Sequence, residues 1–99
     1  KLVDVVKVMD LNDYAHIERE MMLIKLDVQK TGACDVVKRI SDIFRARIID
    51  VGEKTYTVEV TGSRDKLDGF IHALHEVRVV EVVRSGSMGI ARGAIALHV

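Results

Sequence analysis

From Met21 onward the apolar residues change their spacing from a period of two to a period of 3.6 and back, twice over, and this restricts what the chain can fold into. In residues 21–28, Met22, Ile24, Leu26 and Val28 alternate with Lys25 and Asp27, the pattern of a strand with one buried face. From Val36 the stripe becomes helical: Val36, Val37, Ile40, Ile43 and Phe44 share one side, while Asp35, Lys38, Arg39, Asp42 and Arg45 take the other. Thr31 or Asp35 is the expected cap of this helix. Residues 47–51 then read as a strand, Gly52, Glu53 and Lys54 as a turn, and residues 55–61 as a second strand with Tyr56, Val58 and Val60 facing inward. Ser63 is a good N-cap for a second helix that carries Leu67, Phe70, Ile71, Leu74 and Val77 on one stripe. Residues 79–83 close the series as a strand.

Strand, helix, strand, strand, helix, strand is the order of the split βαβ plan, so the predicted fold class is α+β, ferredoxin-like. Right-handed crossovers put both helices on one face of a four-stranded antiparallel sheet, with the first and third strands in the middle. The opposite face then has no cover of its own. Met21, Leu23 and the alternate valines Val79 and Val83 place apolar groups there, so a partner subunit or neighbouring domain is expected to bury it. Two stretches stand outside the plan. Residues 2–9, rich in valine, read as an extra strand without a nearby partner, and residues 12–20 read as a polar connection. Beyond residue 85 the glycine-spaced stretch 85–93 reads as a flexible arm, followed by an apolar tail.

Composition narrows the function classes. A 99-residue chain with 48% apolar and 30% charged residues can bury one core. Lysine plus arginine and aspartate plus glutamate are equal at 15 each, which removes the electrostatic footprint of a nucleic-acid or anionic-membrane binder. Cys34 is the single cysteine and no charged-then-apolar leader opens the sequence, so a reducing compartment, the cytoplasm, is the expectation. No apolar run approaches the roughly 20 residues of a membrane-spanning helix.

No group of residues carries a catalytic signature, so the predicted catalytic, cofactor-binding and metal-binding sets are empty. His72 and His75 lie one helical turn apart and could grip a metal, but no acidic or cysteine ligand cluster accompanies them. Cys34 near a helix start is more simply an apolar filler than a reactive thiol. Three glycines and two serines in residues 85–93, flanked by Arg84 and Arg92, could cradle a phosphate. The phosphate-loop spacing and its lysine are absent, which favours an arm that docks on a partner. Arg39, Arg45 and Arg47 could form a contact patch for an acidic partner surface. An RNA-binding module shares the strand order, yet Tyr56 is the only aromatic residue in the central strands for stacking on bases. A free-standing ligand- or metal-sensing oligomer is the competing expectation.

Four stretches together carry a resemblance. His16-Ile17-Glu18-Arg19-Glu20-Met21-Met22-Leu23-Ile24-Lys25, Ile43-Phe44-Arg45-Ala46-Arg47-Ile48-Ile49-Asp50-Val51, Lys66-Leu67-Asp68-Gly69-Phe70, and Glu81-Val82-Val83-Arg84-Ser85-Gly86 with Ile90-Ala91-Arg92-Gly93 resemble the C-terminal part of the regulatory (small) subunit of acetohydroxyacid synthase, also called acetolactate synthase. They occur in the same order and at similar spacing. The resemblance implies that residues 1–18 are the last strand of an N-terminal ACT domain plus linker, and residues 19–99 the C-terminal, ACT-like domain. It implies a non-catalytic subunit that associates with a thiamine-diphosphate-dependent large subunit, raises its activity and helps transmit feedback inhibition by valine in branched-chain amino-acid biosynthesis. Thiamine diphosphate and magnesium, with FAD as a further candidate, would belong to the catalytic subunit. The family's effector turn, an asparagine with proline and glycine, has no counterpart here, since the sequence contains no proline. A homodimer is expected, with Leu23, Arg45, Arg47, Val79, Val83, Arg84 and Arg92 as the residues of partner contact.

Overall fold

The computed structural model describes residues 15–94, and the extra strand expected over residues 2–9 lies outside them. The chain runs β1 (His16–Asp27), α1 (Ala33–Ile43), β2 (Arg47–Val51), β3 (Thr55–Gly62), α2 (Arg64–Ala73), β4 (Val79–Arg84) and β5 (Met88–Ala91). The first six elements follow the expected ferredoxin-like order. The sheet is antiparallel with strand order β2-β3-β1-β4, so the first and third strands are central.

Side-chain alternation along β1 decides where the core sits. Met22, Ile24 and Leu26 are fully buried, and so are Val58 and nearly Val60, which lie opposite Ile24 and Met22 on β3. Val37 from α1 and Leu67, Phe70 and Leu74 from α2 complete one apolar layer between sheet and helices. The Phe44 and Phe70 rings meet edge to face at 5.5 Å, joining the end of α1 to α2. Ser63 caps α2 as expected, its hydroxyl accepting from the Lys66 N–H at 3.2 Å. The start of α1 differs: neither Thr31 nor Asp35 caps it, and Gly32 takes that position with φ of 86° and no side-chain hydrogen bond. Ile43, expected on the buried stripe, is 65% exposed, because in the last turn of α1 it is Ile40, Ser41 and the following Phe44 that face the core.

The two ends of the expected plan are corrected by one pairing. Residues 12–20 were expected as a connection and the stretch beyond 85 as a flexible arm, yet β1 begins at His16 and β5 pairs with it, Ile17 facing Ile90 and Arg19 facing Met88. Periodicity over a few polar or glycine-rich residues carries too little signal to find a strand whose stability comes from a partner 70 residues away. With 12 residues, β1 extends for roughly 40 Å. No helix among the described residues is long and apolar enough to cross a membrane.

Candidate partner-binding surface

Residues of odd number on β1 point away from the helices. There Met21 is 43% and Leu23 37% exposed, beside Val83, which lies opposite Leu23 and is 55% exposed. Val79, expected on this face as well, packs instead against the core. The reason is a bulge: Lys25 pairs with Glu81 but Leu26 with Val79, so β4 spends one extra residue and the alternation reverses. Charged side chains ring the apolar strip in opposite-sign pairs. Lys25 lies 3.2 Å from Glu81, and Arg47 lies 3.9 Å from Glu59.

The apolar strip continues onto the ribbon formed by the first part of β1 with β5. Ile17, Met88 and Ile90 are 42%, 71% and 66% exposed and share a face with Met21 and Leu23. The other face of the ribbon carries His16 and Glu18, 3.6 Å apart, opposite Ala91 and Gly89. One side of the ribbon is therefore apolar apart from the exposed Arg19, and the other is polar or small.

An ion cluster built on the buried Glu20 holds the ribbon to the body. Glu20 is 5% exposed, and the Arg84 guanidinium donates to both its carboxylate oxygens, Nη2 to Oε1 at 2.8 Å and Nε to Oε2 at 3.0 Å. Such a bidentate fork is the strong form of the pairing. Arg84 Nη1 reaches Asp68 on α2 at 2.6 Å, and the Gly86 N–H donates to Glu20 Oε2 at 3.2 Å. Arg84 holds the Glu20 carboxyl below its usual pKa, chiefly by the hydrogen bond and also by its charge, while the two carboxylates push the Arg84 pKa up. Gly86 has φ of 81°, and between the Met22–Arg84 and Arg19–Met88 pairs β1 advances three residues against four on the other strand. A residue in the left-handed region that inserts one extra position makes a glycine bulge. Ser85 completes it, donating its N–H to the Met21 carbonyl and accepting the Met21 N–H on its hydroxyl, both at 3.0 Å.

The residues expected at a partner contact therefore divide. Leu23 and Val83 share the open face, Arg47 stands at its rim, and Arg45 is exposed at the end of α1 with φ of 55°. Arg92 is exposed past β5, and its N–H bonds the Ala15 carbonyl. Arg84 is turned inward and its guanidinium is taken up by Glu20 and Asp68, which removes it from any free cationic patch. Sequence reasoning missed Glu20. Its signal was a charged residue in phase with Met22 and Ile24, a core position that requires a counter-charge. Met88 and Ile90 were passed over because glycines separate them.

His72 and His75 are exposed with ring centroids 6.4 Å apart, and no group of three or more potential metal ligands occurs among the described residues. Cys34 packs against the core, and hydrogen bonding to it holds the Tyr56 phenol above its usual pKa. Clefts at the start of α1 and beside Ser63 are shallow and open, without a buried polar group aimed into them.

Comparison with known proteins gives one family throughout. The family model described as "Small subunit of acetolactate synthase" matches residues 19–93. The chain is 48% identical over 95 residues to the acetolactate synthase small subunit of Haemophilus influenzae, covering 94% of this chain and 57% of that protein. It is 48% identical over 94 residues to the acetolactate synthase isozyme 3 small subunit of Escherichia coli, with the same shares. The crystal structure of the acetolactate synthase small subunit from Thermotoga maritima superposes with a TM-score of 0.70 at 33% identity, over 82% of this chain and 49% of that one. The chain thus spans about half the length of the relatives it matches. On a family match that covers three quarters of its residues, and with relatives 48% identical over 94% of the chain, this chain belongs to the acetolactate synthase small-subunit family.

Proposed function

We propose that this chain is a non-catalytic, cytoplasmic part of a regulatory subunit, which binds the thiamine-diphosphate-dependent catalytic subunit of acetolactate synthase and raises its activity. The observation that carries this reading is the 48% identity to proteins named acetolactate synthase small subunits over 94% of the chain. A regulatory role needs surfaces rather than a reaction centre, and the described residues offer surfaces: a two-stranded ribbon, an open sheet face and the exposed arginines Arg45, Arg47 and Arg92. Thiamine diphosphate, magnesium and any FAD then belong to the catalytic subunit. Valine feedback reaches the catalytic subunit through the assembled complex, with the effector held by residues other than those described. The chain works as a homodimer.

The test is reconstitution. Mixed with a purified acetolactate synthase catalytic subunit, thiamine diphosphate and magnesium, the chain is expected to co-sediment with that subunit and to increase acetolactate formation from pyruvate. Alone, with the same cofactors, it should form none. Turnover by the chain in the absence of catalytic subunit, or failure to co-sediment, would overturn the proposal. Arg45→Glu with Arg47→Glu should weaken co-sedimentation and leave the chain folded, because both side chains are exposed.

A further inference from the structure

We infer that the free edge of β2, together with the corner at Arg45 that leads into it, takes up a short extended segment of the catalytic subunit as an added strand, with a carboxylate of that segment on Arg45. This deepens the proposed function, on which it rests, by locating where that subunit docks. α1 ends in a Schellman turn, in which the Arg45 N–H donates to the Asp42 carbonyl at 3.2 Å and the Ala46 N–H to the Ser41 carbonyl at 2.8 Å. The turn sets a left-handed backbone at residue 45, φ of 55°, a conformation that glycine adopts without strain and arginine does not. Among the described residues Arg45 alone combines a side chain with a positive φ. That side chain is exposed and has no hydrogen-bond or ion-pair partner among them, so no polar contact within the chain offsets the strain. Strain held at one exposed, charged residue points to a role in contact with another molecule.

The strand that follows the corner is built to accept a neighbour. β2 is an outer strand of the sheet, and no strand pairs with its far side among the described residues. Ile48 faces Val58 and Asp50 faces Thr57, so Ile49 is the extra residue of a bulge, and it is 49% exposed. The Gly52 N–H donates to the Thr55 carbonyl across the hairpin, which turns the main chain of Asp50 towards β3 and that of Val51 outward. Val51 is 64% exposed, and Ile43, just before the corner, 65%. The edge therefore offers β-branched side chains beside unpaired main-chain groups, the elements that bind an extended segment by strand addition.

Two features select the occupant. Over residues 38–54 basic side chains slightly outnumber acidic ones in a chain that is balanced overall, and Glu59 lies 3.9 Å from Arg47. With so small an excess, charge fixes one contact rather than a field: the free fork of Arg45 matches a carboxylate with two parallel hydrogen bonds. The second feature is the bulge, which bends the edge and limits the added strand to a few residues. In a two-fold pair, a second copy of β2 would bring its own bulge to the same place, and a bulged edge is the form that resists self-pairing. An unlike strand without a bulge is the better fit.

Co-sedimentation of the chain with purified catalytic subunit, in thiamine diphosphate and magnesium, tests the docking edge. Arg45→Gly relieves the corner and is expected to raise the melting temperature of the free chain by roughly 4–8 °C, yet to weaken association with the catalytic subunit by about tenfold. The two signs separate a docking residue from a structural one, since relief of strain alone leaves association unchanged. Ile49→Glu with Val51→Glu should abolish co-sedimentation and keep the far-ultraviolet spectrum, because both side chains are exposed; if that variant unfolds, Arg45→Gly decides. An Arg45→Gly chain that binds as tightly as the wild type, or melts below it, overturns the inference. A folded Ile49→Glu, Val51→Glu chain that still co-sediments overturns it too, as does one whose own sedimenting mass falls, which would give the edge to a second copy. A wild-type chain that fails to co-sediment removes the proposed function, and the edge with it; variants that bind like a co-sedimenting wild type remove the edge alone.

Discussion

Neighbouring residues of β1 live in opposite surroundings. Ile24 is fully buried under α1 and α2, and Leu23, one position earlier, is 37% exposed on the far side of the same sheet. The two ends of the strand differ as sharply. Residues 22–26 have a strand on each side, β3 and β4, whereas residues 16–19 pair only with β5. A single layer of two helices can dry one face of the sheet, and the apolar residues of β1 on the other face keep part of their surface in water. The covered half of β1 carries stability. The open half leaves apolar side chains exposed.

The largest test of this contrast is a pair of substitutions on adjacent residues. Ile24→Ala empties a space in the core and is expected to lower stability by about 2–5 kcal/mol. Leu23→Ala removes a side chain that keeps a third of its surface in water, and in the monomeric state it should cost less than about 1.5 kcal/mol. Chemical denaturation at several protein concentrations measures both. Equal losses at high dilution would mean that the open face is covered within one chain.

A smaller effect is expected where the two halves meet. Arg84 holds the Glu20 carboxyl below its usual pKa. Its contribution is therefore complete at neutral pH and is lost as pH falls from the ordinary glutamate value, about 4.3, towards the lower folded value. Asp27 is depressed as well, by the Gln29 backbone N–H first, then by the Gln29 side chain and Arg78, and it adds to the loss over the same range. Melting temperatures taken between about pH 6 and pH 3 should fall more steeply for the wild type than for Glu20→Gln. Parallel curves would remove the Glu20–Arg84 pair from the account of how the ribbon is held.

The smallest effect has the opposite sign. Gly69 lies inside α2, and a β-carbon added there would meet the Phe44 ring at 3.5 Å, an ordinary van der Waals contact. Gly69→Ala should raise stability by about 0.5–1 kcal/mol through helix propensity and a less disordered unfolded chain. A thermal melt checks it. A destabilised variant would show that the Phe44–Phe70 contact leaves no room for one methyl group.

Much of the fold could be read from the residues because its elements are long and amphipathic. The alternation of Met22, Ile24 and Leu26, the stripe through Leu67, Phe70 and Leu74, and the Ser63 cap each encode a local choice that the packed structure keeps. The candidate surface was legible only in its centre, through Met21, Leu23 and Val83. Val79 was misplaced because a bulge reverses the phase of a strand without any sign in composition. Met88 and Ile90 were overlooked because a four-residue strand flanked by glycines has no periodicity to detect.

What the sequence determined by itself is the six ferredoxin-like elements, their order, the helix-covered face and, through four separated stretches, the family. Those follow from side-chain spacing and residue identity, which are local properties of the chain. Tertiary structure alone decided that residues 16–19 and 88–91 form one ribbon, that Arg84 turns inward to Glu20, and that exposed apolar residues from Ile17 to Val83 share one face with Arg19 among them. Each of these joins groups more than 60 residues apart, and a pairing between distant strands gains its free energy from the partner rather than from either segment alone.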